Sequence, residues 1–407
     1  MGHRERIAFR RLLLTKVVWW LDSSRSWIER WLAVKLGSRF LLLALTTLLL
    51  QGSPADAQPG MDCPLAVQPY SANTIVADLL LNPRTRAVIE KYAPVLVHGK
   101  PGFPSMSDIP GFGTIINLRE VAGWAAIPDD VVDRIDQEVR LIQVTRTDSL
   151  ERCARYDQTS PTLPKITHKP AFLVFGKIVG FKDAPSVNAA NAALEAMAAR
   201  RGWSLVETDN AAVFNKDALA NFDAVIWNNV SGDVLTVPQE EAFKDYILRG
   251  GGFAGFHGSG GDPFYVWDWY ADTLIGARFL GHPHDPQFQA ARVVVDDQND
   301  AIVNGLGSGW TMTEEWYSFK SSPRSRGAHI LARLDESTYS PGGGLIMGDH
   351  PIAWTQCLGN GRSFYTAIGH MPENYSESHS LALLEAGIAW AAGKGKTTCR
   401  LGQEVAN

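Results

Sequence analysis

A chain of 407 residues with 45% apolar and 20% charged residues has the composition of a folded globular protein, and its length suits two or three domains. A formal net charge of -5 offers no basic face to a phosphate backbone, so we expect no nucleic-acid partner. No apolar run reaches the roughly 18–20 residues that a membrane-spanning helix requires, and we therefore expect no integral membrane protein.

Residues 1–57 predict a secretory signal peptide. They carry nine Lys or Arg against four acids, a net +5, which leaves -10 for the rest of the chain (-5 minus +5). An apolar run over 40–50 is followed by Ala55-Asp56-Ala57, which has the A-x-A form of a cleavage site. We expect an exported protein, periplasmic or secreted, cleaved near Ala57. The alternative is an N-terminal core helix.

The four cysteines all follow the predicted cleavage site: Cys63, Cys153, Cys357 and Cys399. An even number in an oxidising compartment predicts disulfides, for which three connectivities are possible. The first two cysteines flank one segment and the last two flank the end of another, which favours the pairs Cys63–Cys153 and Cys357–Cys399. Because no CxxC spacing occurs, we do not expect a zinc ribbon.

Residues 58–150 predict a small all-α module. Apolar residues at 75–80 and 88–92 have helical spacing, and Pro83 stands where the second helix would begin. A third helical pattern follows Pro128 over 131–142. The module contains no catalytic constellation, so we expect a docking or spacer role for it, with an unknown partner.

Residues 151–167 lose this periodicity and predict a linker, and a different pattern follows. Continuous apolar runs at 171–175, 222–227 and 252–256 predict strands buried on both faces. Helical patterns at 187–201 and 238–249 separate them, and a closing helix is predicted near 378–392. Further strands are predicted at 205–206, 291–295, 330–334, 352–354 and 363–368. The alternation predicts an α/β domain over 168–393 with a doubly wound, mostly parallel sheet, followed by a tail, 394–407.

Histidines and glycines gather at the predicted strand ends, which is where doubly wound folds place their sites. The segments are Gly255-Phe256-His257-Gly258, Gly281-His282-Pro283, Glu314-Glu315-Trp316-Tyr317, Asp349-His350-Pro351 and Gly369-His370. With these segments in this order, the chain resembles the trehalose-utilisation (ThuA-like) family over about 168–392. The resemblance implies the flavodoxin-like fold of the class I glutamine amidotransferase-like superfamily.

The turn after the predicted strand 252–256 argues against two familiar nucleophiles. Amidotransferases of that superfamily carry a reactive Cys there, but this chain has His257, which excludes a glutamine amidotransferase. Ser259 does not lie in a nucleophile elbow, because G-x-S-x-G would require glycine at 257. A departure from the family pattern concerns Gly180-Phe181-Lys182-Asp183, where many members have a histidine. Asp183 replaces that histidine, or its role is absent.

We select His257, Glu315 and His370 as candidate catalytic residues, and His257, His282 and His370 as candidate ligands of a divalent metal such as Zn²⁺. No two histidines have an i, i+4 spacing, so the metal site depends on the fold bringing them together. The alternative for each is a structural side chain. Trp269, Tyr270, Tyr317 and Trp354 are candidate sugar-binding residues, although most aromatic side chains pack in cores.

The resemblance associates the chain with trehalose and with 3-keto disaccharides. A keto group acidifies the neighbouring C–H, so a base can remove that proton and the glycosidic group can leave before water adds. We therefore expect an exported carbohydrate-active hydrolase or lyase. The alternative is a non-catalytic periplasmic protein that binds a carbohydrate or serves as a scaffold.

Overall fold

The computed structural model describes residues 61–393. The predicted signal peptide, the tail and Cys399 lie outside the described residues. No helix within 61–393 is both long and apolar enough to cross a membrane.

The N-terminal part of the described chain is helical. Its helices are α1 Val76–Leu81, α2 Pro83–Tyr92, α3 Val95–His98, α4 Leu118–Ala125, α5 Asp129–Val139 and α6 Arg146–Cys153. The side chain of Asn82 accepts the N–H groups of Arg84 and Thr85, which fixes the start of α2 at Pro83. The helices enclose an apolar cluster of their own, with Leu79 and Ile135 fully buried. The boundaries at 150 and 167 stay a prediction, because all described residues belong to one compact unit.

The rest of the described chain is an α/β structure. Its strands are β1 Ala171–Phe175, β2 Ser204–Thr208, β3 Ala224–Asn228, β4 Gly252–Phe256, β5 Phe279–Gly281, β6 Phe288–Val295, β7 Gly309–Glu315, β8 Ser318–Phe319, β9 His329–Asp335, β10 Pro351–Leu358 and β11 Gly361–Thr366. Its helices are α7 Ala184–Arg201, α8 Lys216–Leu219, α9 Val237–Leu248 and α10 Ser378–Ala391.

Nine strands form one sheet in the order β2-β1-β3-β4-β11-β10-β9-β6-β7, and β5 pairs with β8. The strands β2, β1, β3, β4 and β11 are parallel, and each residue of β1, β3 and β4 is buried. The remaining four strands extend the sheet in antiparallel fashion. The predicted α/β fold with a large, mostly parallel sheet is therefore confirmed, and an antiparallel extension is added to it.

A disulfide joins Cys63 to Cys153 at the end of α6, as predicted. Nearby, the Tyr156 hydroxyl donates to Asp233 at 2.5 Å, which ties the chain after α6 to the loop that follows β3. No described cysteine is free. The second predicted pair stays a prediction, because Cys399 is not among the described residues.

Candidate functional site

His257 occupies the turn directly after β4. Its backbone φ of +34° lies in the left-handed region, which a residue with a side chain rarely adopts. Two contacts hold it there: the Tyr365 hydroxyl donates to the His257 carbonyl at 2.8 Å, and His257 Nδ1 lies 2.7 Å from the Ala367 carbonyl oxygen. A carbonyl can only accept, so Nδ1 carries a proton that it donates. In the neutral ring Nε2 is therefore unprotonated, and it faces the site.

Glu315 and His370 meet this nitrogen from two other strand ends. Glu315 ends β7, and its Oε2 lies 3.3 Å from His257 Nε2. His370 follows β11, and its Nδ1 lies 2.9 Å from Glu315 Oε2 and 3.2 Å from His257 Nε2. All three predicted catalytic residues thus form one compact group, which we call the His–Glu cluster (His257, Glu315 and His370). In the sheet order, β7 is the edge strand on the antiparallel side and is far from β4. Glu315 can reach His257 only because the antiparallel part of the sheet curves back over the end of β4.

Glu314 positions the loop that carries His370. Its side chain is completely buried. It accepts five hydrogen bonds, from the backbone N–H groups of Glu315, Gly369, His370 and Met371 and from the side-chain amide of Asn374. Adjacent residues of β7 therefore have different tasks: Glu314 anchors the loop and Glu315 belongs to the cluster.

His282 approaches the cluster through Glu315 alone. It follows β5, and its Nε2 lies 3.4 Å from Glu315 Oε1, an oxygen that also accepts the side-chain amide of Gln287. His282 Nδ1 lies 2.8 Å from the Pro283 carbonyl oxygen, so Nδ1 carries the proton and Nε2 is unprotonated in the neutral ring. His282, a predicted metal ligand, therefore lies beside the His–Glu cluster. The third member of that cluster is Glu315 and not His282.

The surroundings shift the pKa values of Glu315, His370 and His282 in different directions. Burial raises the pKa of Glu315, but the hydrogen bonds and positive charge that the His257 and His370 rings offer in their protonated forms outweigh it and hold the pKa far below its usual range. Burial lowers the pKa of His370, but the hydrogen bond and charge of Glu315 raise it above the ordinary value. For His282 burial prevails over the Glu315 charge, and its pKa is lowered. The site therefore contains an ionised carboxylate beside a neutral imidazole.

Asp183 lies where the family pattern has a histidine. Its Oδ2 is 3.5 Å from His370 Nε2, on the side of the ring opposite Glu315. The Ser186 hydroxyl connects the same corner, because it contacts both the Asp183 carboxylate and the His370 carbonyl. An acid at this position favours a proton on Nε2, which leaves Nδ1 to face the cluster.

The predicted sugar-binding aromatics separate into two groups. Tyr317 stacks on His257 with ring centroids 4.1 Å apart. Trp354 is completely buried and donates its indole N–H to the Ile275 carbonyl, and buried Tyr270 donates to the Ser259 carbonyl. Trp269 packs on Trp267. The rings of Trp354 and Tyr270 belong to the apolar core, and sugar contact by either of them stays a prediction.

Two exposed aromatic rings beside His370 are not among the residues that the sequence predicts for the site. Phe288 and Phe181 lie with their centroids 5.1 and 6.3 Å from the His370 ring. Both are exposed, at 39% and 51%. The segment containing Phe181 was singled out for its missing histidine, but nothing in the local pattern shows that its phenylalanine reaches the cluster.

The donor atoms of the cluster fit a divalent metal. Ligands about 2.0–2.1 Å from a tetrahedral Zn²⁺ stand about 3.3 Å apart, and the three separations here are 2.9, 3.2 and 3.3 Å. Two imidazoles and one carboxylate also form a donor set that leaves coordination positions open for substrate. His257 Nε2, His370 Nδ1 and Glu315 Oε2 would hold the ion.

The sequence model of the trehalose-utilisation (ThuA) family matches residues 171–391. Among solved structures, a ThuA-like protein from Bacteroides uniformis is 24% identical with a TM-score of 0.48, covering 56% of this chain and 94% of its own. A ThuA-like protein from Parabacteroides merdae is 17% identical with a TM-score of 0.42, covering 56% and 92%. No curated protein matches the chain.

Proposed function

The chain belongs to the trehalose-utilisation (ThuA) family, and from that premise we propose that it is an exported enzyme that cleaves a 3-keto glycoside by metal-assisted proton abstraction. The observation that carries the proposal is the convergence of His257, Glu315 and His370 at one strand-end site. A site built only to bind sugar has no need to bring ligating atoms of three distant segments within 4.8 Å of one another.

The chemistry follows from the difference between the cluster and His282. A bound divalent cation would polarise the keto oxygen and stabilise the charge that develops on it. His282 Nε2, unprotonated and beside the cluster, accepts the proton from the carbon next to the keto group. His370 and His257 keep their ligating nitrogens oriented through Asp183 and the Ala367 carbonyl. The bond to the glycosidic oxygen then breaks, that oxygen takes the proton held by His282, and a carbon–carbon double bond conjugated with the keto group remains. Water adds its hydroxyl to the carbon that lost the glycosidic oxygen and its proton to the carbon that was deprotonated, which completes a net hydrolysis.

Export is part of the proposal. The Cys63–Cys153 disulfide supports it, because such bonds persist in oxidising compartments. The basic and apolar pattern of residues 1–57 supports it independently.

Metal content is the first experiment. The protein without residues 1–57, purified without chelator, is expected to contain about one equivalent of Zn, Mn or Fe by elemental analysis. His257→Ala and His370→Ala should lose it. His98→Ala is the control, since this exposed histidine pairs with Glu90 on the helical part. If the wild type and all three variants are folded but contain no metal, the metal-assisted mechanism is overturned.

A second experiment separates the proton acceptor from the metal ligands. On a panel of 3-keto glycosides, His282→Ala should retain the metal and lose turnover by about a hundredfold or more, as expected for removal of a general base. His284→Ala is the matched control, because this exposed histidine lies on the same turn with its ring 4.8 Å from that of His282. Equal turnover in both variants would reject His282 as the base.

A carbohydrate-binding protein without catalysis is the second candidate. The exposed rings of Phe181 and Phe288 favour it, since they supply apolar surface for a sugar ring whether or not a reaction follows. Sugar binding without turnover of any 3-keto glycoside, in protein with or without metal, would select this function.

A further inference from the structure

Three aromatic rings form a row that leads from the helical part of the chain to the His–Glu cluster. We call it the aromatic row (Phe112, Trp124 and Phe181). The ring centroids of Trp124 and Phe112 are 5.7 Å apart, those of Phe112 and Phe181 are 6.3 Å apart, and Phe181 lies 6.3 Å from His370. The row is therefore continuous with the site described above.

Exposure of these rings is not required by the packing of the helices. Trp124 is 52% exposed and Phe181 51% exposed, whereas the buried face of α4 is formed by Leu118, Val121 and Ala122. Single exposed apolar side chains are common on protein surfaces, but a contiguous aromatic group beside a polar site indicates a binding surface.

The row is held in place by direct contact between the two backbones that carry it. A Cβ added to Gly111 would lie 2.5 Å from the Gly180 carbonyl oxygen. The Thr114 hydroxyl contacts the Val179 carbonyl at 3.2 Å. The segment with Phe112 thus rests on the loop between β1 and α7, which carries both Phe181 and Asp183. Movement of the helical part would displace the side chains that border His370.

Polar groups flank the row. Glu120 lies one helical turn before Trp124, on the same face of α4, and pairs with Lys320 at 3.8 Å. The two side chains are 40% and 46% exposed, so both can exchange their partner for a ligand hydroxyl. Aromatic faces next to exposed hydrogen-bonding groups suit a sugar ring, whose C–H face is apolar and whose edge carries hydroxyls.

We propose that the aromatic row is a second sugar subsite, so that the helical part of the chain selects a disaccharide or larger glycoside over a single sugar. The assignment of the first ring to the His–Glu cluster rests on the proposed function. The second ring lies along Phe181 and Trp124. The helical part is then a component of the binding site and its partner is the substrate itself.

Calorimetric binding of trehalose and glucose to the protein without residues 1–57 tests this without turnover. The wild type should bind trehalose at least about fivefold more tightly than glucose, the gain expected from stacking on one aromatic ring. Trp124→Ala should abolish that ratio and leave glucose binding unchanged, while Trp124→Phe retains most of it. Leu141→Ala is the control, because Leu141 is an 82% exposed apolar residue outside the row.

Two results would overturn the subsite: a wild type that binds both sugars equally, or a ratio that survives Trp124→Ala. Light scattering supplies a third such result. If Trp124→Ala changes the oligomeric state and leaves the ratio of trehalose to glucose affinity unaltered, the aromatic row is a contact between copies of the chain. Failure of the metal and turnover experiments leaves this test intact. If the ratio still depends on Trp124, the subsite stands and the enzymatic proposal alone falls.

Discussion

Glu314→Gln should unfold the protein more easily than Glu315→Gln, although both substitutions replace one carboxylate oxygen by an amide. The Glu314 side chain has only donors around it: Oε1 accepts three backbone N–H groups and Oε2 accepts the Gly369 N–H and the Asn374 amide, each at 2.8 Å. A glutamine retains one acceptor oxygen and turns its NH₂ toward N–H groups that need an acceptor. Two hydrogen bonds to a buried charge are lost.

At about 1.5–3 kcal/mol for each hydrogen bond to a charged group, the loss of two such bonds should lower the free energy of unfolding by about 3–6 kcal/mol. Glu315 faces two imidazole nitrogens that need not carry protons, and a glutamine oxygen can still accept the Gln287 amide, so its amide variant should lose at most about 1–2 kcal/mol in the metal-free protein. Urea denaturation of metal-free wild type and both variants, followed by circular dichroism, measures the two differences.

Metal binding gives the second readout of this pair. Glu315→Gln removes a ligand, and Glu314→Gln releases the loop that orients His370, so both should lower metal affinity by at least about tenfold. Equal stability of the two metal-free variants, or a Glu314→Gln protein as stable as the wild type, would refute the reasoning that Glu314 anchors this loop.

Three further predictions concern other parts of the chain. Gly111→Ala should lower the unfolding free energy by about 1–3 kcal/mol, since its Cβ meets the Gly180 carbonyl, whereas Gly123→Ala, with nothing within 4 Å of its Cβ, should not; urea denaturation compares them. Burial raises the pKa of Glu240 to about 9, so its native carboxyl costs stability as pH rises above 4.5. Glu240→Gln should therefore match the wild type near pH 4.5 and exceed its unfolding free energy by about 1–3 kcal/mol at pH 8, and a difference independent of pH would contradict this. Cys63→Ser with Cys153→Ser opens a link between residues 90 apart and should cost about 2–4 kcal/mol, while an unchanged urea midpoint would assign the disulfide no stabilising role.

The parallel part of the sheet was readable because strands buried on both faces are apolar throughout. The predicted strands 171–175 and 252–256 coincide with β1 and β4. In contrast, β7 alternates buried and exposed residues and ends in two acids, and β5 and β8 have only three and two residues. Such segments have too little apolar surface to be distinguished from loops.

The residues of the site could likewise be predicted only in part from the sequence. Glycine-flanked histidines at predicted strand ends gave His257 and His370, and the resemblance to the family added Glu315. The burial of Trp354 could not be predicted, because a tryptophan in a strand looks the same in sequence whether its ring meets solvent or the core. The aromatic row was missed for a different reason: it depends on how the helical part packs against the loop after β1, which no local periodicity records.

The His–Glu cluster also has a consequence for the order of folding. Its three residues come from the turn after β4, from the end of β7 and from the loop after β11, and they meet only when the antiparallel strands have curved back over the parallel ones. Contacts between such distant segments form late, because chain entropy must be lost before they are made. An unfinished chain therefore has no complete His–Glu cluster. Under the proposed metal-assisted function, binding of the ion would follow the last step of folding and then stabilise the folded state.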